Sequence, residues 1–223
     1  MANFYNPSSL SLHEEISKDE KRGYFLKDRF EQESELVFDV EENTSLDLTL
    51  VDFSSQDVNV HILANLKRNS SVNIQVASLC SQKYQKHFQV DVIHVQGDSL
   101  SRTKMAGINS GEGKLFFLGN STIVNGAHRS DTRQEGKITN LNPLAKSEVS
   151  PSLLIKENDV KASHGAAVGA YNESELFYLM SRGLSLEESK KLITYGSLLP
   201  IIESLGDEKL VEEAKNSMGE LSL

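Results

Sequence analysis

What most limits the fold of this chain is a series of short runs in which apolar and polar residues alternate. They are Ser45 to Phe53 (SLDLTLVDF), Val58 to Leu66 (VNVHILANL), Ser71 to Leu79 (SVNIQVASL), His87 to Val95 (HFQVDVIHV) and Lys114 to Val124 (KLFFLGNSTIV). A period of two sends one set of side chains to a core face and the other to solvent. Valine, isoleucine, phenylalanine and threonine suit such a pleated surface. The breaks, such as Ser54-Ser55-Gln56-Asp57 and Lys67-Arg68-Asn69-Ser70, read as turns or corners. They are too short to hold crossover helices, which argues against a doubly wound sheet. The starts at 45, 58, 71 and 87 give a loose period. A sandwich, a barrel and a parallel solenoid all fit, and the pattern alone does not choose among them.

Charge and cysteine content narrow the function. The formal charge of the 223 residues is −9, against the basic face that a nucleic-acid binder needs. Residues 1–44 and 157–223 each carry a net −6, and the stretch between them carries +3. One cysteine, Cys80, can close no internal disulfide and cannot hold an iron–sulfur cluster on four thiolates of this chain. No run approaches the roughly 18 apolar residues of a membrane helix. The start lacks a basic stretch followed by an apolar one, so no secretory signal is expected and the cytoplasm is the expected compartment.

Near residue 172 the period changes to about 3.6. Asn172 followed three residues on by Glu175 predicts a helix start, Leu176, Phe177, Leu179 and Met180 an apolar stripe, and Gly183 a stop. Ser185-Leu186-Glu187-Glu188 is a capping box that opens a second helix, expected to end near Gly196. A third helix is expected from Asp207, with Leu210, Val211, Ala214 and Met218 on one side.

Few residues suggest chemistry. Gly107, Gly111 and Gly113 precede Lys114 without the spacing of a phosphate-cradling loop. His128 and Asp131 would fall on opposite faces of a strand. Arg129, Asp131 and Arg133 would share one strand face. His13, His61, His87 and His94 are scattered, and Cys80 has no histidine or CxxC partner beside it. Without a clustered nucleophile and base, no enzyme is expected. The most unusual stretch is Asp159 to Gly169, DVKASHGAAVG, with a histidine among small residues. It reads as a tight packing junction, or as an imidazole presented at an interface.

The run from Ser150 to Gly196 resembles the SufB/SufD family of iron–sulfur cluster assembly proteins. The residues that carry the likeness are Pro151, Leu153, Ile155, Asp159, Val160, Ser163, His164, Gly165, Gly169, Leu176 to Leu179 and Ser181 to Gly183. The likeness extends more loosely to Asp131-Thr132-Arg133-Gln134 and Asn142 to Lys146. It implies a right-handed parallel β-helix core with a small C-terminal α-helical domain. The expected divisions are an N-terminal segment (1–30), a β-helix core (31–170) and a helical domain (171–223). It also implies a non-catalytic scaffold that pairs with a SufB-like chain or with itself and docks a SufC-type ABC ATPase. ATP would then enter only through that ATPase, and a nascent iron–sulfur cluster would form at the partner interface. The S-H-G wording, without cysteine in these last strands, is SufD-like. His164, with Ser163 and Gly165, matches the cluster-assembly and interface site, where His164 would ligate metal beside partner ligands. Phe177, Tyr178, Arg182 and Gly183 match the ATPase-docking motif. The competing expectation is a self-associating β-helix adaptor with no part in cluster chemistry.

Overall fold

The computed structural model describes residues 2–5, 10–27 and 33–219. Thirteen strands run β1 (Ala2–Tyr5), β2 (Leu12–Ile16), β3 (Glu20–Leu26), β4 (Glu33–Val40), β5 (Ser45–Asp52), β6 (Val58–Leu66), β7 (Ser71–Cys80), β8 (Gln85–His94), β9 (Leu100–Asn109), β10 (Lys114–Ile123), β11 (Asp131–Asn140), β12 (Lys146–Ile155) and β13 (Lys161–Gly169). Odd strands form one sheet in the order β1-β3-β5-β7-β9-β11-β13, and even strands form a second in the order β12-β10-β8-β6-β4-β2. Every pairing is parallel. Successive strands therefore alternate between two facing sheets, which is a parallel β-solenoid. Its pitch in sequence lengthens along the chain: Leu12 stacks beside Leu36, whereas Lys114 stacks beside Lys146.

The expected N-terminal segment, 1–30, contributes β1 to β3, which pair into the same two sheets. Residues 1, 6–9 and 28–30 of that segment lie outside the described residues, as do 220–223 of the helical domain.

Burial alternates along strands such as β6, where Val58, Val60, Ile62, Ala64 and Leu66 are buried. These join Leu36, Phe38, Leu48, Phe88 and Phe117 in one core between the sheets. Each fully buried aliphatic or aromatic side chain contributes about 1.5–3 kcal/mol.

One corner of the solenoid repeats from coil to coil. Asn43, Asn69, Asp98 and Arg129 take left-handed backbones, with φ of 60°, 55°, 60° and 57°. Each donates its N–H one coil onward, to Arg68, Gly97, His128 and Asp159 carbonyls respectively. Side chains extend the ladder, since Asn69 Nδ2 donates to Asn43 Oδ1 at 2.8 Å. Arg129 donates to Asp98 Oδ1 and Oδ2 at 2.6 and 2.8 Å. Arg129 thus belongs to a corner, not to the strand face that Asp131 and Arg133 share.

Three α-helices follow among the described residues: α1 (Glu173–Ser181), α2 (Leu186–Ile202) and α3 (Glu208–Gly219), with a short 3-10 turn at Glu203–Leu205. Their starts carry the expected caps. Asn172 accepts from Ser174 and Glu175 N–H, and Ser185 and Glu188 form the capping box. Asp207 accepts from Lys209 and Leu210 N–H. The second helix runs past Gly196 to Ile202, with Pro200 inside its last turn. Tertiary packing overrides the local stop signal. Leu198, Ile201 and Ile202 are fully buried against Phe25, Val51, Ala77 and Ile108 on the outer side of the odd sheet, with Leu210, Ala214 and Met218 of α3. Among the described residues, no helix is long and apolar enough to cross a membrane.

Candidate functional site

Both sheets end at the same place. β12 terminates one and β13 the other, so among the described residues the last coil presents two unpaired parallel edges. Every residue of β13 is exposed. The stretch read as a packing junction is therefore an open edge strand, and its small residues cover nothing.

Register determines which side chains face into this open end. Gln134 and Thr132 of β11 are buried between the sheets. Thr132 stacks beside Ala162, Gln134 beside His164, Gly136 beside Ala166 and Ile138 beside Val168. Stacked residues of parallel in-register strands share a face. His164 is thus an imidazole on the inward face, between Ala162 and Ala166. Across the bore, Phe117 stacks beside Val149, Gly119 beside Pro151 and Ser121 beside Leu153, forming an apolar rim. Ser163 and Gly165 stack beside Arg133 and Glu135, on the outer face. The structure therefore separates the expected trio: His164 faces the bore, while Ser163 and Gly165 face outward. Gly165 there lines a cleft of about 500 Å³ between the odd sheet and α2, with Ala167, Lys104, Lys137, Gly196 and Pro200.

Beneath His164 the bore carries a file of buried polar residues. His94, fully buried, bonds Ser99 Oγ through Nδ1 (2.7 Å) and Ser101 Oγ through Nε2 (2.9 Å). Burial pushes its pKa down to about 4, so the ring is neutral near pH 7. Ser101 Oγ donates to Thr132 Oγ1 (2.7 Å), and Thr132 Oγ1 donates to Ser121 Oγ (2.8 Å). Gln134 Nε2 donates to Ser121 Oγ and to the Ser152 carbonyl, at 2.5 and 3.3 Å. Gln134 Oε1 is buried with no hydrogen-bond partner among the described residues. Sequence reasoning missed this file. Its signal was the set of polar residues at inward positions, where alternation calls for apolar ones.

Cys80 is remote from the open end. Fully buried, its thiol donates to the Tyr84 carbonyl at 3.3 Å, and burial pushes its pKa up to about 11. A thiol so held supplies no thiolate. His128 pairs with Glu157, its Nδ1 3.3 Å from Oε2. Among the described residues, no group of three or more His, Cys, Asp or Glu side chains could hold a metal ion.

The residues expected to dock an ATPase lie together on α1 and its C-terminal turn. Phe177 is 75% exposed, and Tyr178 and Met180 are also exposed. The Arg182 guanidinium lies 5.2 Å from the Tyr178 ring centroid, a cation–π contact. Gly183, at φ +98°, ends the helix in a left-handed conformation that favours glycine, its N–H donating to the Met180 carbonyl. The helix fully buries none of its residues, and its exposed Phe177, Tyr178 and Met180 are available to a partner.

A family described as "SUF system FeS cluster assembly, SufBD core domain" matches residues 32–197. Similar curated proteins include the iron–sulfur cluster assembly protein SufD of Bacillus subtilis (strain 168), 34% identical over 120 residues, covering 54% of this chain and 28% of that protein. The SufD of Escherichia coli (strain K12) is 31% identical over 127 residues, 57% of this chain and 30% of that protein. Protein ABCI7, chloroplastic, of Arabidopsis thaliana is 28% identical over 160 residues, 71% of this chain and 33% of that protein. The matched stretches thus span a third or less of these relatives.

Proposed function

The chain belongs to the SufBD core family, and from that premise we propose that it is a non-catalytic, SufD-like scaffold subunit of a SUF-type iron–sulfur cluster assembly complex. The observation that carries this reading is the open end of the solenoid. Two edge strands there offer unpaired backbone donors and acceptors, a ready template for a partner chain's strands. The exposed apolar residues Leu154, Ile155 and Val168 sit on them and would be covered in such a pairing. The partner is a SufB-like chain or a second copy of this one.

A nascent cluster would be the complex's substrate. This chain offers it one imidazole, that of His164, while its buried Cys80 offers nothing, so thiolates must come from the partner. The exposed face of α1, with Phe177, Tyr178, Arg182 and the Gly183 turn, would receive a SufC-type ABC ATPase. ATP-driven dimerisation of that ATPase would then move the paired scaffold.

The test is His164→Ala in the source cells. The account expects cluster-dependent enzymes to lose activity while the altered chain still co-purifies with its partners. Full activity of those enzymes would instead identify a self-associating adaptor with no part in cluster chemistry.

A further inference from the structure

The polar file beneath the open end has a direction. The Gln134 amide nitrogen is occupied by two acceptors, Ser121 Oγ and the Ser152 carbonyl. A carbonyl oxygen can only accept, so it fixes which end of the amide faces it. The opposite end, Oε1, is thereby an acceptor left without a donor, on a residue only 2% exposed. Leaving such a group unmade costs about 1–3 kcal/mol. Beside it lies Gly119, where a Cβ would stand 3.0 Å from Oε1, so the absence of a side chain there keeps the oxygen's surroundings open.

One ladder step toward the open end, on the same inward face, is His164. Strands in a sheet are about 4.8 Å apart. Side chains of successive coils do meet across that step in this molecule, as the Asn69–Asn43 bond shows. An exposed imidazole exchanges rotamers within nanoseconds.

We propose that Gln134 is a positioning residue for His164, its Oε1 accepting the imidazole N–H. That bond fixes the tautomer and aims the other ring nitrogen, with its lone pair, out of the open end toward whatever is bound there. A histidine that binds a metal is commonly held in this way by a carboxylate or carbonyl oxygen on its second nitrogen. The hydroxyl file from Ser121 to His94 holds the amide in place. The inference deepens the reading of His164 as the interface imidazole and rests on it.

The experiment is ¹⁵N NMR of the full chain labelled at histidine nitrogens, which distinguishes the two neutral tautomers. Wild type is expected to show the His164 tautomer ratio biased roughly fivefold away from that of a free imidazole, the size of one net hydrogen bond. Gln134→Met, of similar volume without an acceptor, should release it to the mixture of a free imidazole. Gln134→Glu, which keeps the acceptor, should retain the bias, and Ser121→Ala, which removes one of the two acceptors that hold the amide, should weaken it. An unbiased His164 in wild type, or a bias unchanged in Gln134→Met, overturns the proposal. Because the signal is read on the chain alone, it is separate from partner capture. Loss of partners with the bias intact would count against the scaffold reading and not against the role of Gln134.

Discussion

Lys86 Nζ lies 2.7 Å from Asp52 Oδ2 with both side chains at 0% exposure. The ammonium also donates to the Ser54 and Leu79 carbonyls, at 2.7 and 2.8 Å, so all three of its donors are used. Asp52 in turn accepts from Ser54 Oγ and Ser78 Oγ. Removing one member of such a pair strands the other charge in a dry interior. Lys86→Met is expected to destabilise the solenoid by about 3–5 kcal/mol, read as a lowered midpoint in urea unfolding. A change within about 0.5 kcal/mol would mean that the pair contributes little.

The corner at Gly111 has no room for a side chain. A Cβ there would stand 2.1 Å from the Gln82 carbonyl oxygen, and a backbone atom cannot step aside as a side chain can. Gly111→Ala is expected to cost about 1–3 kcal/mol, measured by the same unfolding curves. An unchanged midpoint would show that this corner relaxes freely.

Acid should weaken the fold through His94. Its pKa is held down to about 4 in the folded chain by burial, against about 6.5 when unfolded. Between those values the unfolded chain binds the proton and the folded chain does not. Stability therefore falls as the pH drops from 6.5 to 4, by up to about 3 kcal/mol at the lower end. Asp39, Asp98 and Glu157 have lowered pKa values, mainly through hydrogen bonds from Asn65, Arg129 and the Gly126 N–H respectively. Their contributions are lost only further down, below the ordinary carboxylate range. Unfolding curves at pH 7 and pH 5 should thus differ in wild type and differ much less in His94→Gln. Equal pH dependence in both would contradict the assignment.

Phe177 projects from α1 with 75% of its surface exposed. Phe177→Ala should leave unfolding stability within about 0.5 kcal/mol. If the helix is the ATPase-docking face, the same change should lower recovery of the ATPase with the tagged chain at least tenfold. Equal recovery would move the docking site elsewhere.

Much of this architecture was legible because most inner strands alternate cleanly. The runs beginning at Ser45, Val58, Ser71, His87 and Lys114 correspond to β5, β6, β7, β8 and β10. The caps at Asn172 and Ser185 marked the helix starts. Strands β1 to β4 were not singled out, nor were β9 and β11, whose inward positions carry Ser101, Thr103, Thr132 and Gln134. The same substitution of polar for apolar that hid β9 and β11 builds the file under His164. The edge strand β13 was also hidden. Alanine and glycine carry no alternation, and nothing covers the strand to impose one. Choosing the solenoid over a sandwich needed the resemblance, because a period of two says which face is buried and not which strands pair.

The central claim is that this chain works inside a SUF-type assembly, through the open end and α1. The most direct measurement is affinity isolation of the tagged full chain from its source cells, with mass identification of partners and iron and sulfide analysis of what is recovered. The account predicts an ABC-type ATPase together with a SufB-like chain, or a second copy of this one, and iron and sulfide in the complex. Recovery of the chain alone, with neither ATPase nor scaffold partner, would contradict it.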